Sequence, residues 1–159
     1  MRVALLVVDV QNSFSPPTWL TDRIKVLLPN LLSVATVERH DESQVPFQKQ
    51  LGWNPGPSDE CLVNVNCVFI KHGYLPPPQL VSYLRTQAVD QVFVCGLQAE
   101  TCVLAAGFAL FDAGLKPTII ADMVVGSSLD PSGALGVRLW RHHFGSVAET
   151  YQQLLNERT

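Results

Sequence analysis

The chain has 159 residues, 47% of them apolar and only 16% charged, which indicates one compact domain over residues 1–159 and excludes a disordered chain. Its net charge of −3 gives no electrostatic basis for a nucleic-acid or membrane partner, and no apolar run approaches the roughly 20 residues that span a bilayer. The N-terminus enters a strand-like run with no charged leader, and the four cysteines, Cys61, Cys67, Cys95 and Cys102, form no C-x-x-C pair, so free thiols in a reducing cytoplasm are expected, without a structural zinc site.

The run VALLVVDV up to Val10 is apolar except for Asp9. Continuous rather than alternating apolarity predicts a strand covered on both faces. Asp9 at its end either caps the following turn or lines the crevice where open α/β sheets bind ligands. Trp19–Leu32 carries helical spacing (Leu20, Ile24, Leu27, Leu28) that Pro29 should stop. Ser33–Val37 is a second strand. From Glu38 to about Glu60 the chain is polar and rich in Pro and Gly, a long loop whose Phe47, Leu51 and Trp53 should fold over the core or a pocket.

Cys67–Lys71 is a third strand, again ended by one ionisable residue, and Pro76-Pro77-Pro78 leads into a helix over Gln79–Gln87. Val92, Phe93 and Val94 open a buried strand that ends at Cys95-Gly96. A polar turn at 98–101 follows, then an apolar helix from Cys102 to Phe111 closed by Gly114. At the start of that helix, unpaired N–H groups and the dipole favour a thiolate on Cys102. Lys116–Val124 is a further strand, with Asp122 near its end. Asp130-Pro131 should begin a helix reaching about His143, with proline at its first position. A short strand at 146–148 and a terminal helix from Thr150 complete the chain.

Strands alternating with helices predict an α/β fold with a doubly wound, mostly parallel sheet of five to six strands. Neither a G-x-G-x-x-G turn nor a G-x-x-x-x-G-K-[ST] loop is present, which removes the main support for nucleotide binding. In such a sheet, Asp9, Lys71 and Cys102 share the ligand-binding edge. A carboxylate to take the thiol proton, an ammonium to hold charge and a thiolate to attack a carbonyl form a coherent set. Backbone N–H groups of the 98–102 turn are candidates to hold the oxyanion.

Three stretches, VVDVQNSF, FIKHGY and VCGLQAETCV, resemble the signatures of the isochorismatase-like cysteine hydrolase superfamily, which includes nicotinamidases and N-carbamoylsarcosine amidases. The resemblance implies a three-layer Rossmann-like fold with helices on both faces. It also implies Asp9 as general base, Lys71 as charge-stabilising partner and Cys102 as nucleophile. A cis peptide at Leu97-Gln98 would direct the Gln98 N–H, with that of Cys102, at the oxyanion. The implied reaction is cleavage of a small amide or carbamoyl C–N bond through a thioester, in a homodimer or homotetramer. Small residues Ala105, Ala106, Gly107 and Ala109 would allow close helix packing within or between subunits.

The chain departs from metal-dependent nicotinamidases, which carry D-x-H and further histidines after the second strand. Here Glu38-Arg39-His40-Asp41 stands there without a second nearby histidine, so no metal and no cofactor are expected, and His40 reads as solvated or hydrogen-bonded. Phe14, Trp53 and Tyr74 are candidates to contact a small-molecule substrate, with His72 a weaker one and core burial the competing role for the aromatics. His142 and His143 read as a basic helix end, and Cys61, Cys67 and Cys95 as packing. Two other functions remain open: vinyl ether hydrolysis as in isochorismatase, and a non-catalytic scaffold. An intact Asp–Lys–Cys set counts against the scaffold.

Overall fold

In a computed structural model, which describes residues 1–156, the six strands are β1 (Val3–Val8), β2 (Leu32–Glu38), β3 (Cys67–Lys71), β4 (Gln91–Leu97), β5 (Pro117–Val125) and β6 (Val147–Ala148). They form one sheet in the order β3-β2-β1-β4-β5-β6, and every pairing in it is parallel. β1 takes the centre because both of its faces are apolar. Ala4, Leu6 and Val8 enter one hydrophobic cluster, and Leu5 and Val7 enter another. That is the period of two that a strand imposes.

The helices are α1 (Thr18–Leu27), α2 (Phe47–Leu51), α3 (Pro78–Thr86), α4 (Leu104–Asp112), α5 (Ala134–Phe144) and α6 (Tyr151–Asn156). α1 and α6 cover one face of the sheet through Leu20, Ile24, Leu27 and Leu154. α3, α4 and α5 cover the other through Leu80, Leu84, Ala106, Leu110 and Trp140. Each fully buried leucine contributes about 1.5–3 kcal/mol of transfer free energy, so the two clusters fix both layers. Pro29 ends α1 as expected, because it supplies no N–H and its ring clashes one turn back. Pro78 opens α3 at the one place where a missing N–H costs nothing.

The start of α5 differs from the sequence reading. Residues 130–133 form a turn, and the helix begins at Ala134. Gly133 adopts φ +81°, outside helical space, so Pro131 stands ahead of the helix rather than at its first turn. Asp130 still serves that end: its Oδ2 accepts the Leu135 N–H at 2.7 Å. Among the described residues no helix is long and apolar enough to cross a membrane.

One topological feature positions the site. From β1 the chain moves outward through β2 and β3, then returns to the other side of β1 as β4. The carboxyl ends of β1 and β4 therefore flank a crevice, the place where open α/β sheets bind ligands. Gly96, paired with Val8, has φ +118° and leaves no room for a Cβ against the Val8 backbone. Only glycine lets β4 run this close to β1 just before the strand ends.

Candidate active site

Four strands deliver a charged or nucleophilic group to the crevice. Asp9 follows β1, Glu38 ends β2, Lys71 ends β3, and Cys102 lies in the turn after β4; all four are buried. Asp9 is held in the left-handed region, φ 51°, which a short polar side chain tolerates better than most. Its N–H donates to the Thr36 carbonyl at 3.1 Å, and the Thr36 hydroxyl donates to Asp9 Oδ1 at 2.8 Å. The neighbouring strand thus aims the carboxylate. Lys71 Nζ lies 2.9 Å from Asp9 Oδ2 and donates to the Tyr74 carbonyl at 3.0 Å.

The thiol faces a second carboxylate. Cys102 Sγ lies 3.8 Å from Glu38 Oε2, and the donor atoms of Asp9, Glu38 and Cys102 all fall within 4.8 Å of one another. The sequence pattern ends the second strand at Val37 and leaves Glu38 in the loop, whereas the structure places Glu38 on β2. The signal was present: an acid closes an apolar run, as Asp9 does. Gln11 carries no functional mark in the sequence. Its Oε1 accepts the Glu38 N–H at 2.8 Å and its Nε2 donates to the Glu38 carbonyl at 2.8 Å, fixing the end of β2.

Burial dominates the electrostatics. It raises the Asp9 carboxyl above its ordinary range despite Lys71 and Thr36. It raises Glu38 to about 7, again against the pull of Lys71. Burial disfavours the Lys71 ammonium, but Asp9, Cys102 and Glu38 outweigh it and hold its pKa above the usual value. Burial, then the Asp9 charge, pushes the Cys102 thiol well up, with Lys71 opposing. Burial therefore opposes the thiolate that a helix start would favour.

Two features set burial against the helix dipole here. A helix terminus contributes about 0.3–1 kcal/mol, less than the roughly 1.4 kcal/mol of one pKa unit, whereas burial shifts a pKa by up to several units. Cys102 also does not open α4; it sits in a five-residue π-helical turn, Ala99–Val103, ahead of it. The Leu97–Gln98 bond before that turn is cis. The Gln98 carbonyl accepts N–H bonds from Thr101 at 3.1 Å and Val103 at 3.2 Å, which closes the turn on itself. α5 presses on it so closely that a Cβ on Gly136 would lie 2.5 Å from Ala99. Among the small residues of α4, Gly107 serves packing within the subunit, since a Cβ there would lie 2.5 Å from Phe144 and 2.6 Å from Trp140.

Trp53 and Tyr74 meet Phe47, and Phe14 joins them through Trp53. Trp53 lies 6.0 Å from Phe14 and 5.9 Å from Phe47 between ring centroids, and Tyr74 lies 5.5 Å from Phe47. Phe47 is buried, while Leu51 stays exposed, so only part of the 41–60 excursion folds inward. Asp59 clamps its far end: Oδ2 accepts from the Ser13 N–H at 2.7 Å and from Gln11 Nε2 at 3.2 Å. Tyr74 borders a cavity of about 320 Å³ shared with Thr101, Leu104 and Phe108. It also borders one of about 480 Å³ that includes Lys71 and His72.

The other singled-out residues have local partners. His40 Nε2 pairs with Glu42 at 3.0 Å, and His72 Nδ1 lies 2.7 Å from the Arg39 carbonyl. His142 and His143 are exposed in the last turn of α5. All four cysteines are free, and Cys95 is buried against the Leu6 carbonyl. Asp9, Glu38 and Cys102 are the one group of described side chains spaced to share a metal ion. They fit one poorly: Asp9 already carries an ammonium at 2.9 Å, and no histidine joins the set.

An open, all-parallel α/β sheet with carboxylate, ammonium and thiol gathered at its switch point is the class that fold and site define. The chain belongs to the isochorismatase family, whose Isochorismatase domain model matches residues 3–152. Among solved structures it is similar to an isochorismatase-like hydrolase from Alkaliphilus metalliredigens (16% identity, TM-score 0.82, 100% of each chain covered). It is also similar to N-carbamoylsarcosine amidase from Thermoplasma acidophilum (20%, 0.78, covering 95% of this chain and 97% of that one). A third is pyrazinamidase of Pyrococcus horikoshii, solved in complex with zinc (21%, 0.76, 92% and 98%). No curated protein matches the chain by sequence.

Proposed function

We propose that the protein is a cysteine hydrolase that cleaves the C–N bond of a small amide or carbamoyl compound through a thioester on Cys102, without a metal. One observation carries this reading: Asp9 and Cys102 offer their reactive atoms within 4.8 Å of each other, with Lys71 Nζ 2.9 Å from Asp9. Asp9 takes the thiol proton as Cys102 Sγ attacks the carbonyl carbon. The raised thiol pKa ties proton transfer to attack, so a charged thiolate need not be held in a buried site. The N–H groups of Gln98 and Cys102 receive the oxyanion. Collapse breaks the C–N bond, and the proton on Asp9 leaves with the nitrogen as ammonia or an amine. Water then attacks the thioester, Asp9 accepts its proton, and the acid is released as the thiol re-forms. Lys71 stays charged throughout and steadies Asp9.

Phe14, Trp53 and Tyr74 would contact the substrate from the aromatic wall. The reading extends to a cytoplasmic homodimer or homotetramer that needs no cofactor. Phe108 and Phe111, large apolar side chains exposed on α4, support an assembly surface there. The test is ammonia release from a panel of primary amides and N-carbamoyl compounds with chelator present, for wild type and Cys102→Ala. Chelator-resistant turnover lost in the variant is expected; turnover surviving in the variant, or none in wild type, overturns the reading.

A further inference from the structure

We propose that Glu38 is the specificity-determining group of this centre: its carboxylate receives a substrate N–H beside the Cys102 thiol and turns away substrates that carry a carboxylate there. The proposal rests on the reading above, that substrate reacts at Cys102. Its starting point is an unmatched acceptor. Glu38 Oε2 is occupied by the Cys102 thiol at 3.8 Å, whereas Oε1 is buried with no hydrogen-bond partner among the described residues. A buried acceptor without a donor is destabilising, and the surroundings are built to keep this one in place. Gln11 bonds both backbone groups of Glu38 at 2.8 Å, and Asp59 holds Gln11 from the loop side at 3.2 Å.

The nearest cation does not satisfy Glu38. Lys71, its register partner on β3, spends its ammonium on Asp9 at 2.9 Å and the Tyr74 carbonyl at 3.0 Å. Whatever enters beside the thiol therefore meets an acceptor in need of a donor. A primary amide or ureido nitrogen supplies one, and a cationic nitrogen supplies one with favourable charge. A carboxylate supplies none, and above about pH 7, where Glu38 is ionised, it meets the like charge of Glu38 beside Asp9. The aromatic wall of Phe14, Phe47, Trp53 and Tyr74 suits an uncharged or cationic body as well, since ring faces attract cations and repel anions. The expected substrates are uncharged or cationic amides, with carboxylate-bearing ones such as N-carbamoylsarcosine disfavoured.

The test reads recognition separately from turnover. Iodoacetamide and iodoacetate place –CONH₂ or –CO₂⁻ next to the carbon that Sγ attacks; in either case an S–C bond forms, iodide leaves and the thiol proton is released. The ratio of their rates at Cys102 is measured at about pH 8, where Glu38 is ionised, by peptide mass spectrometry on the folded protein, against glutathione in the same buffer. Wild type is expected to favour iodoacetamide at least tenfold more than glutathione does. Glu38→Gln, isosteric and able to donate to a carboxylate, should lower that preference at least fivefold, with circular dichroism confirming the fold. An unchanged ratio in Glu38→Gln overturns the proposal, and so does a Cys102 that neither reagent labels. If the variant does not fold, the wild-type ratio decides alone, and a value equal to that of glutathione overturns it. Turnover on the amide panel with an unchanged ratio leaves the hydrolase standing without this role for Glu38. A Glu38-dependent ratio without turnover leaves the recognition standing without the hydrolase.

Discussion

The edge of the sheet and the 41–60 excursion divide the site between them, and they are built in opposite ways. Asp9, Glu38, Lys71 and Cys102 are buried on or beside parallel strands, where displacing any of them disturbs the sheet itself. The excursion contributes a single short helix, and its outer aromatics are exposed: Trp53 at 46%, with Tyr74 opposite it at 48%. The buried groups are fixed by the fold, while the aromatic wall is added through a few ring contacts and the Asp59 clamp. Such an arrangement lets the chemistry stay constant while the pocket changes.

The sharpest way to break this comparison is at Cys102, the proposed nucleophile. Cys102→Ala should lower turnover by at least about a thousandfold with little loss of stability, measured by ammonia release and thermal unfolding. Lys71→Ala should damage the fold as well as the activity. It leaves Asp9 buried without its ammonium, at a cost of about 3–5 kcal/mol, which lowers Tm by roughly 10 °C. A variant as stable as wild type would show that the ion pair is not part of the frame.

Glu38 should appear in the pH dependence of stability. Its folded pKa of about 7 stands above the ordinary 4.5, so the folded state binds the proton more tightly than the unfolded chain. Its contribution is therefore complete below about pH 4.5 and is lost as pH rises through about 7. The loss is on the order of 3 kcal/mol. Glu38→Gln should flatten the profile, gaining most over wild type near pH 8 and least near pH 5, in denaturant titrations across that range. Equal slopes in both proteins would mean that Glu38 titrates alike folded and unfolded.

The excursion should yield smaller effects. Trp53→Ala removes two ring contacts and should cost about 1 kcal/mol, raising KM several-fold with kcat little changed. A fall in kcat alone would place Trp53 in the frame rather than the wall. Smallest of all, Arg141→Ala breaks an exposed ion pair to Glu149 at 2.6 Å and should change stability by less than about 0.5 kcal/mol.

The same division explains what the sequence made legible. Strands buried on both faces read as uninterrupted apolar runs, so Asp9 and Lys71 stood out as lone charges at their ends. Cys102 stood out as the nucleophile of a turn between strand and helix. Glu38 carried the same mark and was lost to a one-residue strand boundary, the coordinate that periodicity fixes least well. The aromatic content of the excursion announced that it folds over something. Which rings meet depends on the clamp between Gln11 and Asp59, a tertiary contact with no local signature. The dipole that favours a thiolate is readable from a helix start, whereas the burial that opposes it exists only in the assembled sheet. At α5 the proline signal was real, but the φ of Gly133 decided where the helix begins.

The most direct test of the central claim is to trap the acyl group on the thiol. An amide that the protein turns over is mixed with it, the reaction is quenched in acid within the first turnovers, and the peptide containing Cys102 is weighed. That peptide is expected to carry the mass of the substrate's acyl group on Cys102, absent before mixing and absent in Cys102→Ala. Product accumulating in a Cys102→Ala protein, or an adduct on any other residue, would contradict it.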